Sequence, residues 1–236
     1  AGPEETVTFL DGAPLPQAFH FGGLVSVVPS SFLSSIAILP GGFGAPHGRA
    51  TAGVIDARLA TPAGDGVHGT LGLDAIDVGA TLTAPLIKGR RETTIALGVR
   101  RSHVDAWIGS VLGDSVSGEL PRYLDGQVVL EHAFSPRTRV RTALIAADDG
   151  VSVTDPNTSR TGSWKSSVLR AHARLESKFD GGGSALAVLS LGRSKDGILG
   201  DVDRWENDRK TLYARLEATV PIPGPERARL TFGADA

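Results

Sequence analysis

The sequence has no cysteine and no methionine, few aromatic residues and no long apolar run. Without cysteine the chain has no disulfide framework, no thiolate metal site and no thiol nucleophile. The absence of methionine, together with a start at Ala1–Thr6 that is neither basic nor apolar, predicts that the chain is not a complete translation product. No segment approaches about 18 consecutive apolar residues, which excludes a transmembrane helix. A membrane barrel stays open, because its strands need only about 9 to 11 residues.

Charge of either sign is moderate and evenly spread. The 24 Lys and Arg residues nearly balance the 26 Asp and Glu residues, and the formal net charge is -2. A nucleic-acid partner is therefore not expected, since such proteins carry a basic patch or stripe. Glycine is abundant instead, with 30 residues in 236, roughly twice the usual share of about 7%. This composition predicts an ordered, turn-rich, all-β protein.

The chain divides into two regions with different patterns. Residues 1–65 are rich in glycine and proline, poor in charge and without a sustained hydrophobic period. From Gly66 onward the sequence alternates apolar and polar residues, which predicts β-strands. We predict nine strands, at Val67–Ala75, Val78–Leu86, Glu92–Val104, Tyr123–Ala133, Thr138–Ala147, Lys165–Phe179, Ser184–Lys195, Lys210–Val220 and Arg227–Ala236.

The alternation separates an apolar face from a charged one. In the segments 139–146, 169–176, 212–219 and 228–235, none of the sixteen residues on one face is charged, against nine of the sixteen on the other. Such a pattern suits a soluble β-sandwich, which buries its apolar face, and equally a membrane barrel, which turns that face to lipid.

The predicted links between strands favour the barrel. Short links such as 134–137 and 180–183 alternate with long ones such as 148–164 and 196–209, so that short and long links fall at opposite ends of an antiparallel, up-and-down sheet. Outer-membrane barrels have tight periplasmic turns and longer surface loops. Phe134 and Phe179 lie at the short-turn ends in register with the apolar face, as in an aromatic girdle. Because bacterial single-chain barrels have even strand numbers, nine strands predict an incomplete barrel.

Several motifs in the first region resemble one known family. The resemblance rests on VTFLDGAPLP at 7–16, on PSSFLSSIAILPGG at 29–42, and on HGRATAGVIDARLATP at 47–62. These segments are similar to the plug-to-barrel region of TonB-dependent outer-membrane receptors. His47, Ala52 and Pro40 depart from the family pattern. The residues that match the plug motifs most closely are Asp11, Gly12, Pro14, Ile36, Leu39, Gly41, Gly42, Gly48, Arg49, Gly53, Val54 and Ile55.

The resemblance implies an architecture and a function. Residues 1–65 would form the C-terminal part of a plug domain, and residues 66–236 the first strands of a transmembrane barrel. Such receptors have roughly 22 strands and lie in the outer membrane of a Gram-negative bacterium. The implied work is energised uptake of a scarce, here unknown, small solute, driven by the TonB complex through an N-terminal segment that the sequence does not include. Outer-membrane lipid is the other implied partner.

The resemblance also implies positions for side chains. It places Gln17, Phe19, His20 and Phe21 at the outward-facing apex of the plug, as candidate ligand contacts, with anchoring of the plug to the barrel wall as an equally good role. If the barrel forms, the charged face lines the lumen, since Arg at the bilayer midplane costs roughly 2 to 4 kcal/mol. The predicted lumen-lining residues are Arg139, Arg141, Arg170, Arg174, Glu176, Arg215, Glu217 and Arg229.

Nothing in the sequence indicates an enzyme, a metal site or a cofactor. The six histidines lack metal-ligand spacing, and no Gly-x-Ser-x-Gly elbow occurs. The stretch Ser30–Ser35 fits the start of a short helix after Pro29. Asp148 and Asp149, like the acidic cluster in 196–208, are predicted to lie in solvated surface loops. Two further functions stay open, a receptor-like barrel for adhesion or protein sorting and a soluble β-sandwich binding module.

Overall fold

The protein is all-β, and its strands form one large sheet and two small ones. The computed structural model describes residues 6–236 except 22, 24, 45, 46, 48, 49, 63, 108–120, 155–157, 201–203 and 223–228. The strands are β1 (Thr6–Leu10), β2 (Ala13–Pro14), β3 (Phe19–His20), β4 (Val25–Ser26), β5 (Leu33–Leu39), β6 (Gly53–Leu59), β7 (His68–Leu73), β8 (Asp77–Ile87), β9 (Thr93–Ser102), β10 (Arg122–Ser135), β11 (Thr138–Thr154), β12 (Thr161–Lys178), β13 (Ser184–Gly200), β14 (Arg204–Pro221) and β15 (Arg229–Asp235).

The two small sheets belong to the N-terminal region, by which we mean residues 6–62. One has the order β2-β1-β6-β5, in which β1 runs parallel to β6 and the other pairs are antiparallel. The other consists of β3 and β4. A two-residue turn joins β1 to β2 through Asp11 and Gly12, whose φ angles are +51° and +87°. Asp-Gly is the preferred sequence for such a turn, because both central residues need positive φ.

The large sheet is a simple meander. Strands β7 to β15 lie side by side in chain order, and every neighbouring pair is antiparallel. The sheet is not closed, since β7 and β15 each have one partner within the described residues. The prediction of an all-β fold with nine antiparallel, up-and-down strands in an incomplete barrel is confirmed.

Three local predictions were wrong. Strands β11 to β14 extend well beyond their predicted ends, so the long links shrink to 155–160 and 201–203. Asp149 thus lies on β11 and is 1% exposed, not in a solvated loop. Of the acidic cluster, Asp196 lies on β13 and Glu206 and Asp208 on β14, while Asp201 and Asp203 fall outside the described residues. The segment Ser30–Ser35 forms one 3₁₀ turn, Ser30–Phe32, and then enters β5 instead of starting a longer helix.

The two faces of the large sheet differ sharply. We call the face that packs against the N-terminal region the inner face. Its apolar residues Val129, Ile145 and Val168 are at most 3% exposed, and they pack with side chains of the N-terminal region. The opposite, outer face holds a band of apolar side chains with exposures from 44% to 68%, among them Leu144, Leu169, Leu191 and Leu212. An exposed apolar surface of this extent marks a contact with lipid or protein.

Phe32 of the N-terminal region packs against a glycine of the sheet. A Cβ atom at Gly98 on β9 would lie 2.7 Å from Cε2 of Phe32 and 2.9 Å from Oε1 of Gln127. We therefore expect Gly98→Ala to lower the free energy of unfolding by about 1 to 3 kcal/mol, as in other overpacked cores. Urea titration measures this loss of stability. Gly126→Ala is the control, because a Cβ atom at Gly126 would meet only a backbone oxygen, at 3.7 Å. An equal loss in both variants would show that Phe32 is not seated on Gly98.

None of the described residues belongs to a helix with the length and hydrophobicity needed to cross a lipid bilayer.

Candidate functional site

A buried charged cluster joins the N-terminal region to the inner face of the sheet. The His20 side chain on β3 is 0% exposed and lies between two carboxylates. Its Nε2 is 3.0 Å from Oδ2 of Asp125, and its Nδ1 makes a short contact with Oδ1 of Asp149. Ionised carboxylates only accept hydrogen bonds, so both ring nitrogens must donate. The arrangement therefore favours the doubly protonated, positively charged imidazole.

The register of the large sheet explains why the two carboxylates meet. Asp125 on β10 pairs with Ala147 on β11, and Tyr123 pairs with Asp149. Because side chains alternate between faces, residues two apart on one strand share a face. Asp125 and Asp149 are therefore diagonal neighbours on the inner face, and the His20 ring bridges them. The same ring stacks on Tyr123, with centroids 4.1 Å apart and planes at 16°.

Further side chains extend this cluster along the inner face of the large sheet. Arg100 on β9 donates to Oδ2 of Asp125 from Nε at 2.9 Å and from Nη2 at 2.7 Å. The Tyr123 hydroxyl donates to Asp77, and Gln127 donates to Oδ1 of Asp125 at 2.8 Å. With His20 charged, two cations face three carboxylates. With His20 neutral, Arg100 would be the one cation facing these three carboxylates. Uncompensated negative charge in a buried cluster is strongly destabilising.

Two of the other three predicted apex residues, Gln17 and Phe21, also contact the inner face of the large sheet. Gln17 donates to Oδ2 of Asp149 at 2.9 Å and accepts from Ser166 at 2.9 Å. Phe21 has a φ of +50°, and its ring is 5.7 Å from that of Trp164. Phe19 is the most exposed of the four, at 39%. The structure thus brings Gln17, His20 and Phe21 together in one anchoring contact and leaves Phe19 open.

The pKa of His20 makes this contact sensitive to pH. Burial lowers the pKa, but the hydrogen bonds and the charges of Asp125 and Asp149 outweigh burial and raise it above its ordinary 6.5. A raised folded-state pKa means that the stabilisation is complete below about pH 6.5 and is lost as pH rises through the folded-state value.

We therefore expect hydrogen exchange of residues 17–28 to accelerate as pH rises from about 6.5 into the alkaline range, after correction for the intrinsic exchange rate. His20→Gln, which cannot titrate, is the control and is expected to show a corrected rate that does not change with pH. A corrected wild-type exchange rate that is also independent of pH would contradict the assignment of a positive charge to His20.

A second charged cluster anchors the Asp11–Gly12 turn. Arg141 on β11 donates from Nη1 to Oδ2 of Asp11 at 3.0 Å and from Nη2 to Oε2 of Glu131 at 2.5 Å. Asp11 also accepts from the backbone N–H of Leu59 at 3.0 Å. Asp11 and Glu131 are 1% and 5% exposed. Because Asp11 and Glu131 are almost fully buried, loss of Arg141 would leave two uncompensated negative charges, so the cluster depends on every member being present.

The remaining predicted inner-face residues have varied partners. Arg174 donates to the carbonyl oxygen of Asp11 at 2.9 Å and also pairs with Glu176. Arg139 reaches Oε1 of Glu131 at 3.1 Å, and Arg215 pairs with Glu217. Arg170 is 3% exposed and donates to hydroxyl groups on β13 and β14 instead of to a carboxylate. Arg229, at the start of β15, is exposed.

The predicted plug-motif residues fall into three groups. Asp11 and Gly12 form the β1–β2 turn, Pro14 ends β2, and Gly53 begins β6. Gly41 and Gly42 follow β5 and are exposed. Gly48 and Arg49 lie outside the described residues.

Sequence reasoning missed the carboxylates that receive these cations. Asp125 and Glu131 lie on a predicted strand in the register of the charged face, so alternation alone could have placed them there. Asp149 had no such signal, because β11 loses its alternation after Ala147. Among the described residues, no group of three or more His, Asp or Glu side chains is arranged to hold a metal ion.

Comparison with solved structures identifies the fold. The chain resembles parts of solved siderophore receptors and spans 35% to 41% of their length. It aligns with an enterobactin-bound mutant of the ferric enterobactin receptor of Pseudomonas aeruginosa over 99% of this chain and 41% of that one (TM-score 0.66, 16% identity). It aligns with the siderophore receptor PirA of Acinetobacter baumannii over 99% of this chain and 40% of that one (TM-score 0.65, 18% identity). It aligns with the ferripyoverdine receptor of the P. aeruginosa outer membrane over 97% of this chain and 35% of that one (TM-score 0.65, 14% identity). No protein-family model and no curated protein matches the chain.

Proposed function

We propose that the chain is part of a TonB-dependent outer-membrane receptor for energised uptake of a scarce solute. In this proposal residues 1–65 are the C-terminal part of the plug, and residues 66–236 are the first strands of the barrel. The observation that carries it is the dry, charged contact between the N-terminal region and the inner face of an open meander whose outer face is apolar. The fold shared with solved siderophore receptors supports the same reading.

The outer face argues against a soluble sandwich. A sandwich would bury Leu144, Leu169, Leu191 and Leu212 between two sheets, whereas these side chains are 44% to 68% exposed. The charged residues of the same strands lie on the covered face. This inversion of the usual soluble arrangement is the one that a barrel in lipid requires.

We propose a ferric siderophore as the solute, because the solved structures that share the fold are described as receptors for such compounds. Phe19, 39% exposed, is the apex residue best placed to touch it. His20 has no exposed surface, so its role is to position the apex. The TonB complex would then act by loosening the two charged clusters that hold the plug to the wall.

Two measurements on the intact protein test this proposal. An epitope inserted in the β11–β12 connection, residues 155–160, is expected to be cleaved by protease added to whole cells while the protein remains in the outer membrane. Deleting the gene is expected to abolish uptake of radio-iron supplied as ferric enterobactin or ferripyoverdine, and deleting tonB is expected to do the same.

Each other outcome favours a different function. Soluble protein in the periplasm would favour the sandwich binding module. A surface-exposed epitope with uptake of both compounds unchanged in the gene deletion would contradict the siderophore assignment. A surface-exposed epitope, together with adhesion or protein sorting that is unchanged after deletion of tonB, would favour the receptor-like barrel.

A further inference from the structure

One part of the inner face lacks the pairing that holds the rest of the interface together. His172 on β12 is 4% exposed, and neither of its ring nitrogens has a hydrogen-bond partner among the described residues. Each nitrogen has less than 1 Å² of exposed surface, so solvent does not reach it either. An imidazole presents one donor and one acceptor when neutral, and two donors when charged. In either form both nitrogens of His172 are left unsatisfied.

Arg170, two residues before His172 on the same strand and face, is buried without a counter-charge. Its side chain is 3% exposed and donates to the hydroxyl groups of Ser190 at 2.7 Å and Thr211 at 3.1 Å. No carboxylate of the described residues contacts the guanidinium, and its Nε has no partner there. A Cβ atom at Gly192 would lie 3.0 Å from Cζ of Arg170, so the glycine leaves the guanidinium its place. We call Arg170 and His172 the uncompensated pair.

The β1–β2 hairpin covers this part of the sheet. Ala13 of the hairpin packs against Val188 on β13 and Tyr213 on β14. Tyr213 is the cross-strand partner of Ser190, and Ser190 is that of His172. The hairpin therefore lies over the sheet positions around His172, and its docking removes water from the uncompensated pair.

Docking of the hairpin thus combines favourable and opposing contributions. The contact of Arg141 with Asp11 favours the docked state, and it lies close by, because Ala143, two residues after Arg141, pairs with His172. Burial of His172 and Arg170 opposes docking, since hydration is lost without a compensating hydrogen bond or carboxylate. When the hairpin lifts, the Arg141 cluster loses its pairing, but the uncompensated pair regains water.

We propose that Arg170 and His172 form a release device that keeps the attachment of the β1–β2 hairpin to the sheet reversible. Apolar side chains of the same size would be buried at no such cost and would hold the hairpin more tightly. Elements that move are drawn from the less stable parts of a structure. The role of this device in uptake rests on the proposed function, because a plug that the TonB complex displaces needs an attachment that opens at modest cost.

Thiol labelling of the intact protein in detergent tests the inference. Val188→Cys places a thiol beneath the hairpin at a position that is 3% exposed, and the sequence has no competing cysteine. The rate of its reaction with a maleimide then measures how often the hairpin lifts. Adding His172→Leu, which removes the polar atoms at similar volume, is expected to slow labelling about tenfold, because the docked state no longer contains the unsatisfied group. Arg170→Met is expected to slow labelling as well.

Two controls use the same thiol. Arg141→Met removes an anchoring cation and is expected to accelerate labelling, which verifies that the thiol reports lifting of the hairpin. Gln127→Leu also replaces a buried polar side chain of the inner face by leucine. Gln127, however, has partners, since it donates to the carbonyl oxygen of Val27 at 2.9 Å and to Asp125 at 2.8 Å. Its replacement is therefore expected not to slow labelling.

Three results would overturn the inference. The first is labelling of the His172→Leu and Arg170→Met proteins at the parent rate or faster, because their polar groups would then have partners in the docked state. The second is equal slowing by Gln127→Leu, since apolar replacement in general would explain it. The third is a lower urea midpoint for His172→Leu than for its parent, which also covers a variant that fails to fold.

Labelling in detergent requires neither the TonB complex nor a solute, so its result is separate from that of the proposed function. If both hold, His172→Leu is also expected to slow the uptake of ferric enterobactin or ferripyoverdine by whole cells. Slowed labelling in detergent, together with a wild-type protein that takes up neither compound, would refute the proposed function alone.

Discussion

Replacing Arg141 by methionine is expected to lower the free energy of unfolding by about 3 to 5 kcal/mol. Arg141 is the cation that both Asp11 and Glu131 contact, and these carboxylates are 1% and 5% exposed. Methionine preserves most of the side-chain volume but leaves two negative charges in a dry interface. The measurement is a urea titration of the intact protein in detergent, followed by tryptophan fluorescence.

Arg139→Met is the matched control. Arg139 lies on the same strand and face, contacts the same Glu131, and has a side chain that is 52% exposed. Exposed ion pairs contribute only about 0 to 1 kcal/mol, so we expect a loss within that range. Adding Glu131→Gln to Arg141→Met is expected to recover part of the stability, because it removes one uncompensated charge. Equal losses of unfolding free energy in Arg141→Met and Arg139→Met would show that burial of the Asp11 cluster does not increase the cost of removing its cation.

Replacing His20 by leucine is expected to cost about 3 kcal/mol and to release the apex from the wall. Asp125 keeps its contacts with Arg100 and Gln127, whereas Asp149, among the residues that the structure describes, keeps only Gln17 and the distant backbone N–H of Phe21. Asp149 is therefore the group left poorly compensated. Limited proteolysis within residues 15–28, together with urea titration, measures the effect.

Two further variants separate the charged contact from simple loss of a histidine. His68→Leu makes the same substitution at an exposed position whose ion pair with Asp65 lies in solvent, and we expect a change within about 0.5 kcal/mol. Combining His20→Leu with Asp149→Asn is expected to recover about half of the loss. If the double variant were as unstable as the sum of both single variants, His20 and Asp149 would not be coupled.

Alternation predicted the large sheet well where one face is apolar. In the segments near Leu144, Leu169 and Leu212, apolar residues recur at every second position, so strand identity and facing follow directly. The same rule failed beyond Ala147 and Lys195 and before Lys210, where apolar residues are few and the adjacent pair Ile198–Leu199 interrupts the alternation. These strand ends are held by cross-strand backbone hydrogen bonds, such as those in the pairing of Ser152 with Ser163. Such bonds leave no hydrophobic signal.

The sequence by itself determined the all-β class, the nine-strand meander and the charged and apolar faces, because each depends on neighbours within one or two strands. Only the tertiary structure decided which charges meet. The partners of His20 are separated from it by 105 and 129 residues, and Arg141 is 130 residues from Asp11. Contacts at that distance depend on how two independently patterned regions dock. Docking is set by shape and charge over the whole interface, which local periodicity does not encode.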